Sequence, residues 1–272
     1  MRGYVDSDTG QVHYRRSGEA GPALMLFHES PLTSAIYERS LPLLGRSVRA
    51  IAFDTPGYGL SDPPPAPLEI PGYAQSLLHA IDHLGVERFA VAGVHTGASL
   101  ALEVARQAGR ERVSGAILSG VALLTDEERA QYLKSWSPPL ELDSEGHYLD
   151  WALARYRRIW GADAPPELLH VGIVAILSNY ERYNWAYNAA FRYDPSPVLR
   201  QITYPVLLLN AEHDLLRQTD SRVMQLVKAE FIEVPGFRGQ LPWRAPAAYS
   251  GAIVDFLARV EPRLASDSRG VS

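Results

Sequence analysis

The 272-residue chain contains no cysteine. Disulfides, thiolate nucleophiles and thiolate metal sites are therefore excluded. Lysine is nearly absent. Lys134 and Lys228 are the only two, so arginine carries almost all the positive charge. No run of basic residues occurs and the formal net charge is −5, which argues against nucleic acid as a partner. Long hydrophobic runs are missing as well. No window approaches the roughly 18 uncharged apolar residues that a membrane-spanning helix needs, so no membrane is expected. Met1 to Val12 lacks the apolar stretch of a secretory signal, and a cytoplasmic location is the expectation. No H-E-x-x-H spacing occurs, so no metal and no cofactor are predicted.

What is present is a short apolar run repeated along the chain. Leu24–Phe27, Val48–Phe53, Phe89–Gly93, Gly115–Leu118, Val206–Asn210 and Phe231–Val234 each have the length of a strand buried on both faces. Between them, Tyr73–Leu84, Ala98–Ala108 and Ala247–Val260 place apolar residues at helical spacing. This alternation predicts an α/β fold with a mostly parallel central sheet and helices on both faces. Tyr4 to Arg16, with Asp8-Thr9-Gly10 at its middle, reads as a hairpin.

From about Thr125 to Tyr193 no strand run appears, but aromatics are dense, and Pro138-Pro139 and Pro165-Pro166 cut the segment into helical pieces. It reads as a helical cap over residues 122–200. Residues 1–121 and 201–272 then form the core. The tail Ala265–Ser272 is expected to be disordered.

Gly93-Val94-His95-Thr96-Gly97-Ala98 lies between a strand and a helix. Small residues flank its central position because bulky ones would collide with the following helix and the next strand. Asp54-Thr55-Pro56-Gly57-Tyr58-Gly59-Leu60-Ser61-Asp62, His28-Glu29-Ser30-Pro31, Asn210–Asp214 and Val234–Trp243 complete a set of five motifs. In order and spacing these resemble the motifs of the α/β-hydrolase superfamily, and the resemblance extends over nearly the whole chain. It implies an α/β-hydrolase fold with an inserted cap. It also implies a nucleophile elbow at 95, an acid at 214, a base at 240 and an oxyanion loop at 28–31.

The departures from that pattern carry the chemistry. His95 stands where the resemblance implies serine, cysteine or aspartate. Gln240 stands where it implies histidine, and Glu29 where it implies glycine. Asp214 is retained. A relay of serine, histidine and aspartate needs a nucleophile and a base in contact, and both are missing from their usual places. Imidazole is longer than a hydroxymethyl group, so a ring at the elbow reaches the space beside Asp214. A His95–Asp214 dyad is therefore predicted, with Asp214 fixing the tautomer, His95 acting as general base and Gln240 bonding either partner or the substrate. Backbone amides of Thr96 and Ser30 are the expected oxyanion donors. Glu29 adds an ionisable group if its side chain turns inward, and His28 is expected to bond backbone.

Tyr180, Tyr183, Asn184 and Tyr187 are read as one helical face lining the substrate pocket, joined there by Trp243. Asp54 reads as a turn anchor and Ser99 as packed or bonded to its helix. His213 reads as exposed or structural. Ser61, Ser119 and Thr33 have no motif support as nucleophiles.

The expected partner is a small-molecule substrate, and a homodimer stays open. The expected activity is cofactor-free acid/base chemistry of the lyase, decarboxylase, cyclase or isomerase type on a small apolar carbonyl compound. Two alternatives stand beside it. One is a hydrolase using His95-activated water without an acyl-enzyme. The other is a ligand-binding protein without chemistry.

Overall fold

The computed structural model describes the backbone of residues 1–267 and the side chains of residues 1–260. A hairpin opens the chain: β1 (Arg2–Ser7) and β2 (Gly10–Ser17) pair antiparallel across the turn at Asp8-Thr9. Six further strands follow, β3 (Ala23–Phe27), β4 (Arg49–Phe53), β5 (Phe89–Val94), β6 (Val113–Ser119), β7 (Val206–Ala211) and β8 (Glu230–Val234). They join the hairpin in one sheet of order β1-β2-β4-β3-β5-β6-β7-β8. The pairings from β4 to β8 are all parallel. Each apolar run named above is one of these strands. Strands β3, β5, β6 and β7 are buried along their whole length, which is why they carry no polar alternation. The edge strands β1 and β8 are partly exposed and do mix polar with apolar residues.

Successive strand residues feed opposite layers. Met25, Phe27 and Val91 pack under α2 (Ile70–His83) and α3 (Thr96–Ala108), against Tyr73, Leu77, Leu100 and Val104. Leu24, Leu26, Ala90 and Ala92 pack on the other side with Ile253, Phe256 and Leu257 of α11 (Pro246–Asp267). Each fully buried leucine or phenylalanine contributes about 2 kcal/mol by leaving water. The short helices α1 (Leu41–Leu44), α9 (Asp220–Met224) and α10 (Leu241–Arg244) lie in the connecting segments. Helix α11 runs on to Asp267, so Ala265–Asp267 are helical rather than irregular. Extending an existing helix fixes one residue per hydrogen bond and avoids the cost of nucleation. The rest of the tail expected to be disordered, residues 268–272, lies outside the described residues.

Between β6 and β7 come five helices: α4 (Asp126–Ser135), α5 (His147–Trp160), α6 (Pro166–Ser178), α7 (Trp185–Arg192) and α8 (Ser196–Gln201). Arg222 of α9 clamps Glu128 of α4 with nitrogen–oxygen distances of 2.6 and 2.9 Å. Tyr58 accepts the Ala186 amide at 2.8 Å and donates toward the Arg182 and Tyr183 carbonyls. Residues 179–184 form a turn between α6 and α7, not a helix. Asn179 ends α6, and its side-chain amide donates to the Ala175 carbonyl at 3.0 Å in competition with the helix ladder. Tyr180, Tyr183 and Asn184 therefore share no helical face with Tyr187. Among the described residues no helix is long and apolar enough to cross a membrane.

Candidate active site

The register places the carboxyl ends of β3, β5, β6 and β7 side by side, with Phe27 opposite Gly93 and Gly93 opposite Leu118. Loops leaving such strand ends meet in a crevice above the sheet. His95 leaves β5 there at φ 48° and ψ −110°, a conformation costly for a side-chain-bearing residue. Its amide donates to the Ser119 carbonyl at 2.9 Å, and its carbonyl accepts from the Ala98 amide at 2.9 Å. A Cβ at Gly93 would collide with the Gly97 carbonyl, and one at Gly97 with the Phe27 carbonyl. Both glycines let α3 start hard against the sheet and hold the ring up at the sheet's edge.

The ring meets Asp214. His95 Nε2 lies 2.9 Å from Oδ1 and 3.0 Å from Oδ2. Asp214 follows β7 in a turn closed by its own amide on the Ala211 carbonyl at 3.1 Å, and its Oδ1 also accepts the Leu216 amide at 2.8 Å. Two glycines make room for the pair. A Cβ at Gly120 (φ 61°) would strike the His95 ring, and one at Gly239 (φ 105°) would sit 2.8 Å from Asp214 Oδ2.

On the other side of the ring, His95 Nδ1 lies 3.3 Å from Glu29 Oε2. Glu29 turns inward and is buried. Its Oε1 accepts from Gln240 Nε2 at 3.0 Å. Burial acts to lower the His95 pKa, but the charge and hydrogen bond of Asp214, then the charge of Glu29, outweigh it and raise it to about 9. Burial raises the Glu29 carboxyl above its usual range, opposed by His95 and by the Gln240 hydrogen bond. Asp220, beneath the pair, is pushed up to about 6 by burial, while Asn210 donates to it at 3.0 Å.

Of these groups, Glu29, His95 and Gln240 floor one end of a cavity of about 590 Å³, its mouth included. Glu29, Ser30, His95, Thr96 and Gln240 form the polar end. Tyr132, Trp136, Tyr156, Trp160, Tyr187 and Phe191 form an aromatic wall, all contributed by the segment between β6 and β7. The lining, mostly apolar and aromatic with a few polar groups gathered at one end, is that of a small-molecule site. The amides of Thr96 and Ser30 have no backbone acceptor among the described residues.

Of the residues expected at substrate, Tyr187 is in the wall and four are elsewhere. Tyr180 points outward, its hydroxyl 3.1 Å from Glu181 Oε1. Tyr183 is buried and donates to the Pro138 carbonyl. Asn184 donates to the Ser137 carbonyl at 3.2 Å, tying two segments together. Trp243 packs beneath the Arg39 guanidinium, 4.4 Å from its ring centre, and does not line the cavity. The common reason is the turn at 179–184, which redirects the first three, and helix α10, which turns Trp243 toward Arg39.

The remaining readings divide. Asp54 is a turn anchor: it accepts from the Ser34 amide at 2.6 Å, the Leu60 amide at 3.0 Å and His13 Nδ1 at 2.8 Å. His28 takes the Thr55 amide on Nε2 at 3.0 Å, so its Nδ1 donates to the Glu29 carbonyl. Ser99 is packed, and its hydroxyl has no hydrogen-bond partner among the described residues. His213 is exposed. Asp143, Glu145 and His147 lie close enough together to share an ion, but they sit outside this cavity's lining and are largely exposed.

Sequence reasoning missed Gly120 and Gly239, whose signal was their place after β6 and just before Gln240. It noted the aromatics of the wall other than Tyr187 without assigning them to the site. It also missed Arg155, which is buried behind that wall against Trp136, Trp151 and Tyr187.

A family model described as alpha/beta hydrolase fold matches residues 22–144. Haloalkane dehalogenase 2 of Mycobacterium tuberculosis is 32% identical over 116 residues, a match covering 42% of this chain and 40% of that relative's length. The chain thus spans less than half the length of this curated relative. A hydrolase from Pseudomonas aeruginosa PA01 superposes with a TM-score of 0.81 at 20% identity, covering 94% of this chain and 98% of that one. The enol-lactonase from Burkholderia xenovorans LB400 does so with a TM-score of 0.77 at 20% identity, covering 94% and 100%. At these identities the likeness of the solved structures is one of fold.

Proposed function

We propose that this chain, which has the α/β-hydrolase fold with an eight-stranded, mostly parallel sheet, is a hydrolase that cleaves a small, mostly apolar carbonyl compound with activated water and no acyl-enzyme. One observation carries the reading. The elbow side chain is an imidazole bonded to the retained acid at 2.9 Å, so the position that would bear a nucleophile bears half of an acid/base pair. The similar proteins support hydrolysis over the lyase, decarboxylase, cyclase or isomerase chemistry expected from the residues alone. They include an enol-lactonase and a dehalogenase, whose reactions belong to those proteins.

Water held above the polar end would attack the carbonyl carbon, with its proton passing to the carboxylate–imidazole cluster formed by Glu29, His95 and Asp214. The carbonyl oxygen would take up charge facing the Thr96 and Ser30 amides, whose backbone donors do not depend on side-chain identity. The aromatic wall of the segment 122–200, read as a cap, would hold the apolar body of the substrate and exclude bulk water.

The experiment is turnover of an aryl ester such as p-nitrophenyl acetate in ¹⁸O-labelled water, with mass spectrometry of the protein during single turnover. Label in the acid product and an unmodified chain are expected. A covalent acyl adduct, or product without label, would reject the reading.

A further inference from the structure

The three departures from the motif pattern, Glu29, His95 and Gln240, touch one another in a row. Gln240 Nε2 donates to Glu29 Oε1 at 3.0 Å, and Glu29 Oε2 faces His95 Nδ1 at 3.3 Å. Asp214 closes the row on His95 Nε2 at 2.9 Å. Both ring nitrogens thus face carboxylates that are nearly sealed from water, with side chains 2% exposed in Asp214 and 7% in Glu29. Two such charges favour a proton on each nitrogen. An imidazole in that state has no lone pair left and accepts no proton, so the base must lie elsewhere in the cavity.

The other polar side chains of the cavity leave one candidate. Gln240 does not titrate, the hydroxyls of Ser30 and Thr96 are far too weakly basic, and burial raises the phenols of Tyr132, Tyr156 and Tyr187 above their usual range and so keeps them protonated. Asp214 is committed to the ring and to the Leu216 amide. Glu29 lines the cavity, and its Oε2 has no hydrogen-bond partner among the described residues. Its burial also strengthens it as a base. Gln240 completes the arrangement. An amide donates one N–H to Oε1 at any pH and leaves Oε2 as the reactive atom, where a histidine would bring a second titrating group.

We propose that Glu29 is the proton acceptor of this site and that His95 is a standing imidazolium, locked by Asp214, which keeps Glu29 ionised until substrate enters. The proposal deepens the hydrolase reading and rests on it for the reaction. Water loses a proton to Glu29 Oε2 as its oxygen bonds to the carbonyl carbon, and the C=O π pair moves onto oxygen. The tetrahedral species then expels the leaving group, which takes the proton from the Glu29 carboxylic acid. The carboxylate is thereby restored and no oxidant or cofactor is consumed.

The test separates the base from the hydrolysis. 5-Nitrobenzisoxazole is a small apolar aromatic that opens when a base removes its C3 proton: the C–H and N–O bonds break, a phenolate forms, and no water adds. Wild-type protein should open it, with a rate that falls on acidification at a midpoint above the ordinary carboxylate range. Glu29→Gln, nearly isosteric, should lose at least 100-fold in kcat/KM for it. Retention within threefold in that variant overturns the proposal, as does a wild-type rate no better than that of an equal concentration of acetate. Histidine ¹⁵N spectra of the wild-type chain decide the point without any substitution at Glu29. The His95 signals, identified by their loss in His95→Gln, should show both nitrogens protonated at pH 7, and a neutral single tautomer there overturns the proposal. Ring opening that depends on Glu29, together with no hydrolysis of p-nitrophenyl acetate, would reject the hydrolase reading and support this one.

Discussion

His95 Nε2 lies 2.9 Å from Asp214 Oδ1 although 119 residues separate them in the chain. The contact joins the end of β5 to the turn after β7, strands that are not neighbours in the sheet but flank β6. It therefore reports directly on the geometry of the strand ends.

Removing the acid should uncouple the ring. In Asp214→Asn the largest charge that raises the His95 pKa is gone, and Nε2 loses the carboxylate that orients the ring, leaving only Glu29 on Nδ1. Ester turnover should fall by about 100-fold or more. Steady-state kinetics at pH 7 check this, and a variant within a few-fold of wild type would show that the pair plays no part in turnover.

Gly120 should tolerate no side chain. Its φ of 61° disfavours any other residue, and an added methyl would meet the His95 ring. Gly120→Ala should cost about 1–3 kcal/mol of stability and displace the imidazole. Urea unfolding measures the first effect and turnover the second. Wild-type values for both would mean that the ring does not occupy this position.

Stability should fall as the solution becomes alkaline. The folded His95 pKa of about 9 stands above the ordinary 6.5, so its contribution is fully present below about pH 6.5 and is lost as pH rises through about 9. Glu29, also raised by burial, bends the curve in the same direction at lower pH. The His95 contribution is on the order of 3 kcal/mol at most, since each tenfold gain in proton affinity on folding corresponds to about 1.4 kcal/mol. Urea midpoints from pH 6 to pH 10 should decline in wild type and be flatter in His95→Gln. Equal slopes in the two proteins would refute the assignment.

Asp54 should behave as structure, not chemistry. It is buried and accepts two amides and the His13 ring. Asp54→Ala should destabilise the chain by about 3 kcal/mol, because the donors left behind lose a charged acceptor. The kcat of the folded fraction should stay within a few-fold of wild type. A large loss of kcat with unchanged stability would place Asp54 in the reaction instead.

The fold was legible because its signals are local. Each parallel strand must be apolar on both faces, so Leu24–Phe27, Phe89–Gly93 and Val206–Asn210 announce themselves as runs in the chain. Glycines at 93 and 97 mark the elbow because two backbones approach there too closely for any Cβ. The pairing of His95 with Asp214 followed from the length of an imidazole at a position whose neighbours the motifs locate.

The aromatic site residues were not legible in this way. Tyr180, Tyr183, Asn184 and Tyr187 have helical spacing, yet Asn179 breaks the helix before the first three, because its side-chain amide competes for the Ala175 carbonyl. Which of a dozen aromatics face a cavity depends on how five helices sit on the sheet. That is set by burial summed over many residues and not by any local pattern.

By itself, then, the amino-acid sequence determined the strands, their burial and the identity of the residues at 29, 95, 214 and 240, since periodicity and motif spacing are properties of the chain. Only the tertiary structure decided that Glu29 turns inward, that Gln240 orients it and that both nitrogens of His95 meet carboxylates. Those facts depend on the directions of side chains from four separate loops. Such directions are fixed by packing at the strand ends, where Gly120 and Gly239 leave the space the pair occupies.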